Sequence, residues 1–159
     1  MPATFKWCES NGSGEIETQD ISNLNFGNTD APNIVPVSNP VTAGNASFEK
    51  YLRTLFGGTW TDITNIKFWK SSGDYVAGET LKAAANVVFA TPSATPNADS
   101  NIPIIEGSAL SIESAEGANH IEYGVSTYSA YIRMQLRTSG STPAGAVNEK
   151  EFIFQYDET

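Results

Sequence analysis

The chain has little of what reactive sites are built from, since its 159 residues include one Cys, Cys8, and one His, His120. A single Cys excludes an intrachain disulfide and an all-cysteine metal site. One His leaves little for histidine-based catalysis. No run of residues approaches the roughly 20 apolar residues of a membrane-spanning helix, and the N-terminus lacks the apolar core of a secretory signal. We therefore expect a chain in an aqueous compartment, with no membrane partner, no cofactor and no enzymatic activity.

Basic residues are also scarce, with 9 Lys and Arg against 18 Asp and Glu, which gives a formal net charge of −9. Such an excess of acid repels phosphates, so nucleic acid is not an expected partner. What is present is apolar surface, with 40% hydrophobic and 11% aromatic residues. That composition is too apolar for a disordered chain, and the length suits one domain with a real core.

The remaining composition predicts an all-β fold. Asn, Ser, Thr and Gly are abundant and strong helix formers are sparse, which favours short strands joined by turns. The clearest alternation lies at residues 130–137 and again at residues 150–156, and the loop 138–149 between them reads as a hairpin connection. Without βαβ alternation, we predict a β-sandwich, immunoglobulin-like or jelly-roll-like, with at most one short helix.

Two stretches have less regular patterns. We predict that residues 1–47 form an extended N-terminal arm or irregular segment with short strands, which lies on the chain's own surface or on that of a neighbour. Residues 48–159 are predicted to form the sandwich domain. Proline density in residues 10–47 excludes a central strand there. Residues 48–56 carry apolar side chains at helical spacing, yet an all-β context overrides so short a pattern. Strand and short helix both stay open for this segment.

The sequence contains only weak matches to metal-binding and ligand-binding motifs. Residues 97–101 imitate the start of a calcium loop, but Ile102 stands where that loop requires glycine, so a solvated turn is the better interpretation. A sugar-binding platform would use the ring of Trp60, Trp69 or Tyr75, with several aromatic rings on one face. Charge is uneven, because no Lys or Arg lies between Lys82 and Arg133, and such separation suits docking on a charged protein.

Five phrases in order carry a resemblance. They are FKWC at 5–8, LNFGNTDAP at 24–32, PVTAGNASFEK at 40–50, NIKFWKSSG at 65–73 and FQYDE at 154–158. This set resembles small virion structural proteins of tailed bacteriophages. The phrases span most of the chain, and they are structural in character and bring no catalytic residues.

The resemblance implies a virion protein assembled in the host cytoplasm, expected to be a capsid decoration (cement) protein that binds the major capsid protein. A neck, connector or tail component is the alternative, and a carbohydrate-binding module is a third. A homo-oligomer is also expected. Aromatic and basic side chains are the candidates for the partner interface. The candidates are Phe5, Trp7, Phe26, Trp60, Trp69, Tyr131, Arg133 and Arg137.

Overall fold

A computed structural model describes residues 2–145 and 148–159 and shows two antiparallel β-sheets. The strands are β1 (Thr4–Asn11), β2 (Ile16–Gln19), β3 (Lys50–Gly57), β4 (Asp62–Ser72), β5 (Thr80–Val87), β6 (Ser100–Asn101), β7 (Leu110–Ser111), β8 (His120–Glu122), β9 (Tyr131–Arg137) and β10 (Glu151–Glu158). A single 3-10 turn, Glu106–Ser108, is the only helical element in the part of the chain described. The predicted all-β sandwich is therefore confirmed.

The first sheet has six strands in the order β2-β1-β3-β9-β5-β6. The second is narrower, in the order β10-β4-β7, with β8 also paired to β4. Apolar side chains from both sheets meet between them. The core includes Leu52 and Phe56 of β3, Phe68 of β4 and Ile132 of β9.

Of the ambiguous segment 48–56, residues 50–56 lie in strand β3, in the middle of the first sheet. Lys50–Gly57 pairs with β1 on one side and with β9 on the other. Leu52 and Phe56 point into the core, while Tyr51 on the opposite face is also buried. Because both faces of the strand are covered, apolar residues recur at positions that imitate a helical period. Pairing with two neighbours decides in favour of the strand.

The alternating segments at the C-terminal end are strands, as predicted, but the hairpin between them is wrong. Strand β9 lies in the first sheet and β10 in the second, so residues 138–149 cross between sheets. Residues 146 and 147 of this connection lie outside the described residues. Alternation marks a half-buried strand without saying which strand pairs with it, and for this reason the sequence pattern did not distinguish the two connections.

The predicted arm, residues 1–47, contains two strands of the first sheet. Strand β1 pairs with β2 and with β3, whereas residues 20–47 follow irregular paths. The irregular part lies against its own sandwich. The Phe48 amide donates to the Gly27 carbonyl and the Ser47 amide to the Leu136 carbonyl, at 2.9 and 2.8 Å.

The described residues include no helix with the length and apolar character needed to cross a membrane.

Candidate functional site

An open apolar groove of about 550 Å³ lies at one side of the sandwich. We call it the aromatic groove. Its walls are the two sheets and the start of the irregular segment at residues 21–24. Its lining is Phe5, Trp7, Ile21, Ser22, Asn23, Leu24, Leu52, Phe68, Phe152, Ile153 and Phe154. The sequence-predicted candidates Phe5 and Trp7 are thus brought together on the inner face of β1. Both are half-buried.

Ring contacts join the two sheets across the groove. The centroid of Trp7 lies 5.9 Å from that of Phe68 and 5.2 Å from that of Phe154. Phe5 lies 5.0 Å from Phe154. Such edge and tilted pairs favour aromatic packing beyond simple burial. Strand β1 is therefore opposite β10, and β2, one strand further out, faces no strand of the second sheet among the described residues.

Three of the predicted interface aromatics are buried within the chain. Trp60 donates its indole N–H to the Ile121 carbonyl at 3.1 Å, and Trp69 is 7% exposed. Tyr131 packs on Tyr51 and donates to the Glu15 carboxylate at 2.7 Å. These rings offer almost no surface to a partner or a sugar. Tyr75, the remaining candidate for a sugar platform, is 37% exposed, and its ring centroid lies 5.1 Å from Lys70 Nζ. Phe26 is half-buried and packs against the core.

The predicted interface residues Arg133 and Arg137 hold a loop of their own chain. Arg133 donates to both carboxylate oxygens of Asp99, at 2.8 and 2.6 Å, which raises the pKa of its guanidinium. Arg137 donates to the backbone carbonyl and the side-chain oxygen of Asn97. The side chain of Gln135, between them, donates to the Thr95 carbonyl at 3.0 Å. Of the expected solvated turn at 97–101, residues 97–99 are thus fixed to the outer face of β9, whereas residues 100 and 101 form strand β6 and pair with β5.

A buried ion pair lies where the irregular segment meets the first sheet. Lys50 Nζ lies 2.8 Å from Glu9 Oε1, and both side chains are inaccessible to solvent at 1% and 0% exposure. Lys50 also donates to the Ala31 carbonyl at 2.7 Å. Asn11 donates to Asp30 at 2.7 Å and to Glu9 at 2.9 Å. A buried charge is costly unless it has hydrogen-bond partners. The Ala31 carbonyl supplies one for Lys50, and Asp30 bonds to Asn11, so the cluster attaches residues 30 and 31 to the sandwich.

A second charged cluster covers the outer face of β3. Arg53 donates to Glu17 from Nε at 2.7 Å and stacks on Tyr128 and Tyr131, with its guanidinium carbon 4.1 and 4.7 Å from the ring centroids. Burial and the acceptor Glu15 raise the pKa of Tyr131 to about 12, although a bond to Ser10 lowers it. Although burial opposes it, hydrogen bonding to Gln19 and Arg53 lowers the pKa of Glu17. The Arg53 guanidinium therefore packs between the two tyrosine rings through cation–π contacts and holds them in place.

The expected separation of charge into a mixed or basic surface and an acidic one requires the basic strands to share one sheet, but β3 and β9 lie in the first sheet and β4 and β10 in the second. Five bases make an ion pair with a nearby carboxylate. The pairs are Lys50–Glu9, Arg53–Glu17, Lys67–Glu106, Arg133–Asp99 and Lys150–Glu79. The surplus acids therefore determine the surface charge.

The remaining titratable candidates have local roles. Cys8 is buried in β1, as expected of a small apolar residue, and burial raises the pKa of its thiol. His120 Nε2 lies 3.8 Å from Asp62 on the surface. Among residues 2–145 and 148–159, no three His, Cys, Asp or Glu side chains are grouped to hold a metal ion.

Exposed aliphatic residues on loops are the feature that sequence reasoning missed. Val37 is 87% exposed and Val35 is 55% exposed, at the tip of a loop closed by the Asn28 amide on the Asn39 carbonyl at 3.2 Å. The Ser38 amide donates to Val35 and keeps the tip compact. The signal was available in the sequence, because apolar residues around Pro36 in an irregular segment have no strand to bury them. We call residues 35–37 the apolar tip.

Comparisons of the chain with protein-family models, with curated proteins and with solved structures found no match. A function for this chain is therefore inferred from the geometry of the sandwich and from the five sequence phrases.

Proposed function

We propose that the chain is a structural protein of a tailed-phage virion, a capsid decoration protein that binds the major capsid protein. The single observation that carries this proposal is the ordered set of five phrases that resembles small virion proteins. Two of the phrases, residues 24–32 and 40–50, contain Asp30 and Lys50, whose side chains attach the irregular segment to the sandwich. The resemblance therefore involves residues that maintain the fold.

Surface features support a binding role. The apolar tip is held on a closed loop, so presenting Val35 and Val37 to a partner requires little ordering of the chain. A net charge of −9 keeps free copies apart at high concentration before assembly. A protein that binds only the assembled shell stabilises the shell by mass action. The role is therefore one of binding and not of catalysis.

The number of copies in a virion tests the proposal. Particles made by the genome that encodes the chain are purified, and its amount relative to the major capsid protein is measured by quantitative mass spectrometry. Hundreds of copies are expected. A count of about six or twelve, set by ring symmetry at one vertex, would overturn the proposal and favour a neck or tail protein.

A substitution tests the surface. Val37→Asp places a charge in the expected contact, so we expect severalfold fewer copies per particle. Ser13→Asp, on an exposed turn between β1 and β2, adds the same charge and serves as the matched control. Equal incorporation of the two variants would exclude the apolar tip from the contact.

A further inference from the structure

The edge strand β10 has one unused side. Within the described residues it pairs only with β4, along Glu151–Glu158. Every second residue of an edge strand directs its N–H and C=O groups away from the sheet, where they are available to another strand. Eight residues make a long edge. It lies beside the aromatic groove, since Phe152, Ile153 and Phe154 also line the groove.

The two sheets differ in width at this side. Strand β10 faces β1, as the contacts of Phe154 with Phe5 and Trp7 show. Within the described residues, the outer strand β2 of the first sheet therefore has no counterpart strand in the second sheet, and its apolar residue Ile16 is 71% exposed. One more strand paired to β10 would occupy the missing position, because neighbouring strands lie roughly 4.8 Å apart. Its inward side chains would enter the aromatic groove.

We propose that β10 and the aromatic groove bind an extended segment of a partner protein by strand addition. The segment would carry apolar residues at alternate positions, since successive side chains of a strand point to opposite faces. Main-chain hydrogen bonds to β10 would fix its direction and register. The proposal does not depend on whether the partner belongs to a virion.

Charge identifies the segment further. Glu151, Asp157 and Glu158 stand at the two ends of β10, exposed. Their hydrogen bonds come from neutral groups, Ser72, Asn65 and the Ala3 amide, and within the described part of the chain none of the three makes an ion pair. The segment that fits therefore carries Lys or Arg near its ends.

A second copy of the chain fits this edge poorly. Antiparallel self-pairing of two β10 strands centred on Phe154 places Glu151 of one copy opposite Asp157 of the other, because opposite residues must share a face of the sheet. Like charges directly opposite each other destabilise a strand pair. The net charge of −9 on each copy adds to the repulsion. The same acids attract a basic segment, which distinguishes the two occupants.

The probe is the synthetic peptide acetyl-Lys-Ile-Thr-Val-Lys-Val-Thr-Ile-Lys-amide, added to the whole chain at low salt. Its four apolar residues share one face of a strand. Binding is measured by calorimetry, and amide hydrogen exchange is followed along the chain. We expect saturable binding with slower exchange in β10. A scrambled peptide without alternation, and a version N-methylated at alternate residues, should bind at least tenfold more weakly, about 1.4 kcal/mol.

Two matched charge reversals test the proposed attraction between the acidic residues of β10 and the basic peptide. Glu151→Lys should raise the peptide dissociation constant by roughly threefold to tenfold. Glu116→Lys, in the exposed turn beside the pocket of Arg53 and Tyr131, makes the same charge change and should leave the constant nearly unaltered. Circular dichroism confirms that both variants are folded.

Equal binding of the scrambled or N-methylated peptide would overturn the proposal, and so would equal effects of the two reversals. Absence of binding would overturn it as well. Sedimentation of the free chain as a dimer with protected β10 amides would overturn it in favour of a second copy.

Discussion

Lys50 and Glu9 show how one pair of side chains can connect three parts of a chain. The two charges meet between β3 and β1, and Lys50 also reaches the Ala31 carbonyl of the irregular segment. The second carboxylate oxygen of Glu9 is buried and has no hydrogen-bond partner among the residues that the structure describes. A buried pair of this kind contributes little net stability, but removing one member leaves an uncompensated charge.

We therefore expect Lys50→Met to lower the free energy of unfolding by about 3–5 kcal/mol. Urea denaturation followed by tryptophan fluorescence measures the change. The double variant Glu9→Leu, Lys50→Met removes both charges and should recover much of the loss. Lys67→Met, which breaks the exposed pair with Glu106, should cost about 1 kcal/mol or less. Similar costs for Lys50→Met and Lys67→Met would contradict the buried-charge argument.

At the scale of elements, sequence alternation predicted strands well but not their partners. Residues 130–137 and 150–156 form strands, yet they belong to different sheets. Residues 48–56 are covered on both faces, so their apolar spacing resembled a helix. Pairing is a long-range property that local periodicity does not encode. The strand content was therefore predictable, and the topology was not.

The candidate site was predictable only in part, for the same reason. Phe5 and Trp7 do line a groove, because alternation along β1 puts them on one face. Arg133 and Arg137 were expected at an interface, but they hold residues 97–99 of their own chain. Arg133 and Arg137 lie more than 30 residues along the chain from the loop that they bind. The sequence therefore does not show whether these arginines bind that loop or a partner. The tertiary contact decides their use.

The loop of residues 88–99 gives a prediction at this scale. Its end is fixed by the two hydrogen bonds from Arg133 to Asp99. Asp99→Asn removes the charge pair, so we expect faster cleavage of residues 88–99 by a nonspecific protease and faster amide exchange there. The melting temperature should fall only slightly. Asp74→Asn, in an exposed loop, is the control, and identical cleavage of the two variants would show that the ion pair does not hold the loop.

At the scale of the whole molecule, the sandwich is closed by its N-terminal strand. Phe5 and Trp7 of β1 make ring contacts with Phe56, Phe68 and Phe154 from three other strands. Strand β1 is also the partner of β3 along seven residue pairs. The first residues of the chain therefore complete the core, whatever the later irregular segment contacts.

Deleting residues 1–19 tests this role. The deletion removes β1 and β2, exposes the edge of β3 and leaves Leu52 and Phe154 without cover, so we expect loss of cooperative unfolding and of dispersed amide resonances. Replacing residues 35–37 by three glycines alters only the apolar tip and should leave the melting transition nearly unchanged. If residues 20–159 instead unfold cooperatively with a native-like spectrum, then the N-terminal strands are a separable arm, and Phe5 and Trp7 serve a partner and not the core.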